Sequence, residues 1–215
     1  RSYGFLHRLD VPSSGLILAA KTYTAYYDLS LQLSTGRLVR DYIVLCHGWM
    51  HPAQHQISER VYWNERHCLP SLVQQRGKPS ISWIKVLAHA WLGHSRFSLI
   101  TVRIATGRRH QIRIHTAHLG HPTVCDNMYT SPAVFEQDVS WCPRNFLHRY
   151  RLAFLDNASM QQQVVERLPE DLSQALQHLD PKDAQSSYVL ASLYQASVGD
   201  SELPSWDSWS PLAPS

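Results

Sequence analysis

The sequence has no long hydrophobic run. No stretch of its 215 residues approaches the ~20 consecutive apolar residues that a membrane-spanning helix needs. Four cysteines (Cys46, Cys68, Cys125 and Cys142) occur without CxxC spacing, which is typical of reduced thiols in an intracellular protein. Phosphate-binding loops of the GxxxxGK[ST] and GxGxxG types are missing too, so nothing in the sequence indicates a nucleotide cofactor.

Positive charge is concentrated in one segment. The net charge is only +3, but residues 103–121 contain four arginines, four histidines and no acidic residue. This predicts a polyanion or a buried acid as the partner of the segment. On a helix, Arg109 and Arg113 share a face and repel each other, so they need an anion, either a phosphate or Asp10. A solvated basic face is the alternative, although Ile112 and Ile114 require much of the helix to be buried.

Hydrophobic periodicity and turn residues divide the chain into strands and helices. Strands are predicted over residues 14–21, 38–46, 81–88, 97–104 and 147–155. Helices are predicted over 23–33, over 107–119 with Thr106 as the cap, and from Pro169 onward. Residues 51–78 show no clear periodicity. Because strands mostly follow one another directly, an α+β fold with a mixed, largely antiparallel sheet and flanking helices is favoured over a βαβ fold.

The composition changes after Asp180, where proline, serine, aspartate and isolated tryptophans dominate. We therefore expect a folded domain over residues 1–180 and a partly disordered C-terminal tail over residues 181–215.

Two residues and one histidine cluster are candidates for chemistry. Asp10 precedes a Pro-Ser-Ser-Gly turn that could hold an ionised carboxylate in a fixed direction, although such an aspartate is more often a turn or cap residue. Tyr42, taken alone, is better explained as a core aromatic. The histidines of the basic segment allow a zinc hydrolase as an alternative, but no HExxH motif and no carboxylate in that segment support it.

Several ordered motifs together resemble the RluA family of RNA pseudouridine synthases. Residues 7–10 (HRLD) with 13–16 (SSGL), residues 40–42 (RDY) and residues 106–122 (TGRRHQIRIHTAHLGHP) resemble the family's HRLDxxTSGL, K/R-x-Y and TGRxHQIRxHxAxLGHP motifs. The chain departs from the family pattern at Cys125, where glycine is common. The family's upstream strand and an S4-like domain do not occur in this sequence, so we expect residues 1–180 to be an N-terminally incomplete catalytic domain.

The resemblance implies a central active-site cleft and a cofactor-free, metal-free isomerisation of uridine to pseudouridine in structured RNA, either rRNA or tRNA. It implies that Asp10 is the catalytic aspartate, that Arg113 pairs with it and that Tyr42 stacks on the base. Arg8 is expected to fill the gap left by the flipped nucleotide, and further RNA contacts are expected from His7, Arg109, His110 and Gln111. We expect a monomer that acts on RNA, with no membrane and no nucleotide cofactor. A catalytically silent RNA-binding relative is the alternative.

Overall fold

A nine-stranded sheet carries the fold in the computed structural model, which describes residues 4–64, 69–199 and 203–213. The strands in these ranges are β1 (Ser14–Gly15), β2 (Val39–His47), β3 (Gln56–Tyr62), β4 (Leu72–Val73), β5 (Lys78–Leu92), β6 (Ser95–Ile104), β7 (Leu147–Leu155), β8 (Gln161–Val165) and β9 (Asp180–Pro181). The helices are α1 (Tyr23–Ser34), α2 (Gln111–His118), α3 (Pro132–Val139), α4 (Glu170–Leu176) and α5 (Ala184–Val198). None of these helices is long and apolar enough to cross a membrane.

The strand order is β1-β7-β2-β6-β5-β3-β4, with β8 also paired to β7 and β9 to β5. All pairings between these strands are antiparallel except that of β1 with β7. The predicted α+β fold with a mixed, largely antiparallel sheet is therefore confirmed. The central strands read as nearly continuous apolar runs because both of their faces are covered.

Each face of the sheet has its own hydrophobic core. On one face, here called the α5 face, α4 and α5 pack against residues such as Ile43 and Leu45. On the other, the α2 face, Ile112 of α2 packs in the same core as Tyr42 and Val44. Neighbouring residues of a strand point to opposite faces, so the chemistry expected of Tyr42 belongs to the α2 face.

The helix predicted over 23–33 and the strands predicted over 38–46, 81–88, 97–104 and 147–155 are present, with small shifts of their ends. The strand predicted over 14–21 is regular only over Ser14–Gly15. Leu16 makes one more backbone hydrogen bond to β7, Ile17 is 45% exposed, and beyond it Ala19 forms only an isolated antiparallel bridge with Phe5. Two strands, β3 and β4, lie in the segment 51–78 where none was predicted. Glu59 occupies a position between the buried Ile57 and Val61, which hides the apolar alternation of β3.

The helix predicted over 107–119 begins only at Gln111. The Thr106 hydroxyl donates to Gln111 Oε1 at 2.7 Å and accepts from the Ile81 N–H at 3.3 Å, so it does not cap the helix by accepting from one of the helix N–H groups. His110 is the residue before the first turn, and its backbone is left-handed, with φ of 54°. A non-glycine residue in that region is uncommon and is often found at functional sites.

The described part of residues 181–215, for which a partly disordered tail is predicted, packs against the sheet. Leu190 and Leu193 of α5 are buried in the core of the α5 face, and Leu203 and Trp209 join the same core. Lys85 fastens the final segment by donating to the backbone oxygens of two of its tryptophans at 2.7 and 3.0 Å. These apolar residues are divided between α5 and a final segment that contains one 3-10 turn, so no single periodicity reveals them.

Candidate active site

Asp10 is positioned by a turn that is attached to β7. The Ser13 N–H donates to the Asp10 carbonyl oxygen at 2.9 Å, and β1 then pairs with β7 at His148 and Arg149. Gly15 permits this close approach, because its φ is +116° and a Cβ there would lie 2.2 Å from the Arg149 carbonyl oxygen. The turn leaves the Asp10 side chain 18% exposed, beside α2.

Arg113, in α2, faces Asp10, but its main partner is Asp126. Nε and Nη2 of Arg113 each donate to an oxygen of Asp126 at 2.6 Å, whereas Nη1 lies 3.7 Å from Oδ2 of Asp10. The predicted contact with Asp10 is present as an ion pair, while the two parallel hydrogen bonds expected on Asp10 belong to Asp126. Burial works against the charge of Arg113, but the bonds and charge of Asp126, with the charge of Asp10, outweigh it and raise the pKa of Arg113.

Asp126 is a fixed acceptor. The hydroxyl of Thr123 donates to it at 3.0 Å, the backbone N–H groups of Met128 and Tyr129 do so at 3.0 and 3.3 Å, and its side chain has no exposure. The Asp126 carboxylate therefore fixes the Arg113 fork, and the fork presents its third nitrogen toward Asp10. Within the described residues no hydrogen bond restrains the Asp10 carboxylate itself.

Tyr42 belongs to a second polar network on the same face of the sheet. Its hydroxyl accepts a hydrogen bond from Nε of Arg149 at 2.8 Å, and the guanidinium carbon lies 5.1 Å from the Tyr42 ring centroid. Nη1 of Arg149 contacts Nδ1 of His7 at 2.7 Å. Burial, reinforced by the positive charges of Arg149 and Arg40, lowers the pKa of His7 to about 3. His7 is therefore neutral at neutral pH and can accept this bond.

The other predicted RNA contacts differ in their surroundings. Nδ1 of His110 lies 3.1 Å from the Tyr129 hydroxyl, and burial lowers the pKa of His110. The Gln111 amide is fully engaged inside the protein, with four hydrogen bonds of 2.7 to 3.1 Å to its own loop and to β5. Arg8 is exposed and Arg109 is half-buried, so both can reach a ligand. That these residues bind RNA stays a prediction.

A further buried cation lies close to Tyr42. Arg40 is 3% exposed, and its Nη2 donates to the Ala105 carbonyl oxygen at 3.1 Å, while Nε has no hydrogen-bond partner among the described residues. Burial lowers the pKa of Arg40, and the charge of Arg149 acts in the same direction. The positive charges of the buried residues Arg40, Arg113 and Arg149 therefore outnumber the negative charges of Asp10 and Asp126. This excess of positive charge favours an anionic ligand.

The sequence reasoning missed Asp126 and Arg149. Asp126 is the first acidic residue after the basic segment 103–121, and this position could have marked it as the buried acid that the segment needs. Arg149 stands in a strand of buried residues, where a charge requires partners. Both signals are visible in the sequence, but neither identifies the partner.

The histidines considered as zinc ligands lie apart. Nδ1 of His110 contacts Tyr129, His115 lies between two serine hydroxyls of β5 at 2.9 and 3.0 Å, and His121 bonds to a backbone oxygen of β2 at 2.9 Å. Across the described ranges, no group of three or more His, Cys, Asp or Glu side chains could hold a metal ion. Their placement gives the zinc-hydrolase alternative no support.

Two cavities lie away from this cluster. One, of about 260 Å³, is lined by residues that include His47 and Trp141. The other, of about 580 Å³, is lined by residues that include Trp83 and Trp206. Asp10 lines neither, so a central cleft around Asp10 stays a prediction from the family resemblance.

The fold is shared with solved pseudouridylate synthase domains. Human RNA Pseudouridylate Synthase Domain Containing 1 matches with a TM-score of 0.70 and 23% sequence identity, covering 88% of this chain and 79% of that chain. Human RNA Pseudouridylate Synthase Domain Containing 4 matches with a TM-score of 0.63 and 16% identity, covering 82% and 76% of the two chains. These likenesses define the class of fold.

Sequence comparison identifies the family. The RNA pseudouridylate synthase family matches residues 1–118, which include Asp10, Tyr42 and Arg113. Ribosomal large subunit pseudouridine synthase D of Nitrosomonas europaea is 33% identical over 178 residues (81% of this chain, 50% of that protein), and its counterpart in Buchnera aphidicola is 38% identical over 132 residues (59% and 39%). The chain belongs to the RNA pseudouridylate synthase family, in its RluA group. It spans 39% and 50% of the lengths of these two relatives.

Proposed function

We propose that this protein isomerises uridine to pseudouridine in structured RNA, with Asp10 as the catalytic aspartate. One observation carries the proposal. The Asp10 carboxylate lies 3.7 Å from Arg113, whose fork is already fixed by Asp126, and all of this occurs in a chain that belongs to the RNA pseudouridylate synthase family. An aspartate that only faced solvent would not need an arginine fixed in place beside it.

The proposed reaction balances without an added reagent. The C1′–N1 bond of uridine breaks and a C1′–C5 bond forms, while C5 loses one proton and N1 gains one. No oxidant or reductant is consumed, which supports a cofactor-free reaction. The uridine must first leave its stack, because the reacting atoms are otherwise shielded.

Each residue of the cluster has a proposed role in this reaction. Asp10 acts as the covalent catalyst, and the charge of Arg113 attracts and aims its carboxylate. The Tyr42 ring offers a face on which the flipped base stacks, and its hydroxyl handles a proton. Exposed Arg8 fills the space that the flipped base vacates.

Ribosomal RNA is the first substrate class to test. The relatives from Nitrosomonas europaea and Buchnera aphidicola are named for the ribosomal large subunit, and we propose the same class here, with tRNA as the second choice. Exposed Arg8 and half-buried Arg109 supply charge for phosphate contacts. We further propose that the protein acts as a monomer, which sedimentation with and without RNA tests.

Release of tritium tests the activity directly, because C5 must lose its proton. Purified protein is incubated with rRNA and tRNA that carry [5-³H]uridine, and the released tritium is measured. We expect release by the wild type and none by Asp10→Asn, which keeps the shape of the side chain but removes its charge. RNA affinity should persist in the variant, since most of it comes from phosphate contacts. RNA binding by folded wild-type protein without tritium release would instead favour the catalytically silent relative.

A further inference from the structure

A β-bulge brings Arg149 to Tyr42. In the pairing of β2 with β7, Asp41 lies opposite Arg151 but Tyr42 lies opposite Arg149, so Tyr150 is an extra residue in β7. Such a bulge re-aims the side chains around it. Arg149 consequently bonds to Tyr42 on the α2 face at 2.8 Å, while Arg151 bonds to Asp41 at 2.7 Å. If the register continued without a bulge, Tyr150 and not Arg149 would lie opposite Tyr42.

The chemistry of a guanidinium fixes the direction of each bond that Arg149 makes. Arginine has donors and no acceptor, so Tyr42 Oη accepts from it and the hydroxyl proton of Tyr42 points elsewhere. The same rule makes Nδ1 of His7 an acceptor, which requires a neutral ring whose proton is on Nε2. A further bond from Nη1 to the Leu16 carbonyl oxygen at 3.0 Å ties the guanidinium to the chain that follows the Asp10 turn.

The Nε2–H of His7 is a donor without a partner. Nε2 is buried and makes no hydrogen bond to any of the residues that the structure describes. A buried polar group in that condition is costly. Because arginines surround His7, an oxygen of the RNA is a ligand that would satisfy it.

We propose that Arg149 is a positioning residue of the pseudouridine synthase site, which sets the hydroxyl of Tyr42 and the tautomer of His7 before RNA binds. The inference rests on the proposed function and deepens it. Arg149 acts through Tyr42 and His7, and His7 then offers its Nε2–H to the RNA.

A purely structural role explains Arg149 less well. In the described residues its hydrogen bonds go to neutral acceptors and to no carboxylate. A buried charge without an acidic partner is costly, and the charge of Arg40 nearby adds repulsion. An apolar side chain would fill this position at lower cost, so the guanidinium is better explained by what it does for Tyr42 and His7.

Arg149→Lys separates positioning from charge. Lysine keeps the positive charge, but its single ammonium cannot reproduce the directed fork that reaches both Tyr42 and His7. We expect the single-turnover rate to fall on the order of 10²-fold, because small misplacements of reacting groups slow a reaction by about that factor. RNA affinity should stay close to that of the wild type. Arg151→Lys is the matched control, because Arg151 is a buried arginine of the same strand that serves the other face. Its turnover should match the wild type even if its stability falls.

A second readout does not depend on activity. In protein labelled with ¹⁵N-histidine, His7 is assigned by its loss in His7→Gln, and its two ring nitrogens are observed without RNA. We expect an unprotonated Nδ1 and a protonated Nε2 in the wild type, persisting at pH 5, and a mixture of tautomers in Arg149→Lys.

The outcomes separate the two proposals. No turnover by wild-type protein on any RNA would remove the proposed function. Wild-type turnover with an equally active Arg149→Lys, or an unchanged His7 spectrum in that variant, would overturn the positioning role alone. An equal loss of turnover in Arg151→Lys would also overturn it, because both effects would then reflect damage to the strand.

Discussion

Among single residues, Arg113 is the point at which the folded state and the chemistry meet. Two of its nitrogens bind Asp126 and the third faces Asp10, so a change there affects both partners. Asp126 has no exposure and depends on that fork for the neutralisation of its charge. A substitution of Arg113 should therefore lower both stability and catalysis. A substitution of Arg149 should lower catalysis without an equal loss of stability.

We predict that Arg113→Lys lowers both the free energy of unfolding and the turnover. Lysine keeps the charge but loses one of two parallel hydrogen bonds to a carboxylate, which costs about 1.5–3 kcal/mol. Turnover should fall much further than RNA affinity, because Asp10 loses an aimed counter-charge while phosphate contacts elsewhere remain. Urea denaturation, RNA titration and single-turnover kinetics measure the three quantities.

Arg108→Lys is the control for this substitution. Arg108 is half-buried and its Nε donates to the Pro79 carbonyl oxygen at 3.1 Å. Lysine can replace that single bond, so all three quantities should change little. Equally small changes at Arg113 would show that its directed bonds support neither the fold nor the chemistry.

Sequence motifs were sufficient to propose Asp10, Tyr42 and Arg113 as site residues, because each belongs to a pattern that is local in the chain. The partners of these residues were not predictable in the same way. Arg149 is 107 residues from Tyr42 and reaches it only through a bulge in β7, for which no local signal was recognised. Pairings of this kind depend on strand register, which is a property of the whole sheet.

At the scale of elements, β1 is the shortest strand that the site depends on. Its two residues are the only parallel addition to the sheet among the described strands, and they carry the Asp10 turn to the edge of β7. The apolar run after Gly15 predicts a longer strand. A run becomes a strand only where a neighbouring strand supplies backbone hydrogen bonds along it. The two residues of β1 pair with β7 because Gly15 lets the two backbones approach closely.

We predict that Gly15→Ala displaces the Asp10 turn. The new Cβ would meet the backbone of Arg149 at 2.2 to 2.7 Å, where nothing flexible can yield, and φ of +116° is unfavourable for alanine. Backbone strain of this kind costs about 1–3 kcal/mol, and separation of β1 from β7 should also abolish most turnover. Urea denaturation and tritium release measure the two effects.

Gly93→Ala provides the comparison. Gly93 also has a positive φ, of 58°, but a Cβ there would meet nothing within 4 Å. It lies in the turn between β5 and β6, so the variant should lose a little stability and keep its turnover. Retained turnover in Gly15→Ala would show that the approach of β1 to β7 does not position Asp10.

For the whole molecule, the C-terminal segment is part of the core that supports the site. Trp209 is 7% exposed, packs in the core of the α5 face and donates from its indole to the Tyr150 hydroxyl at 3.2 Å. Tyr150 is the extra residue of the bulge that turns Arg149 toward Tyr42. The segment thus braces the back of β7, on the opposite side of the sheet from the proposed chemistry.

We predict that Trp209→Ala destabilises the entire protein by about 3–5 kcal/mol, the usual cost of emptying a buried tryptophan site. Tyr188→Ala, at a residue of α5 that is 74% exposed, should change the free energy of unfolding by less than about 0.5 kcal/mol. Far-UV circular dichroism and tryptophan fluorescence should report one shared transition in both variants, because the segment and the sheet form one core. A neutral Trp209→Ala, or an early fluorescence transition separate from the loss of the sheet, would mean that the segment folds apart from the sheet and cannot brace β7.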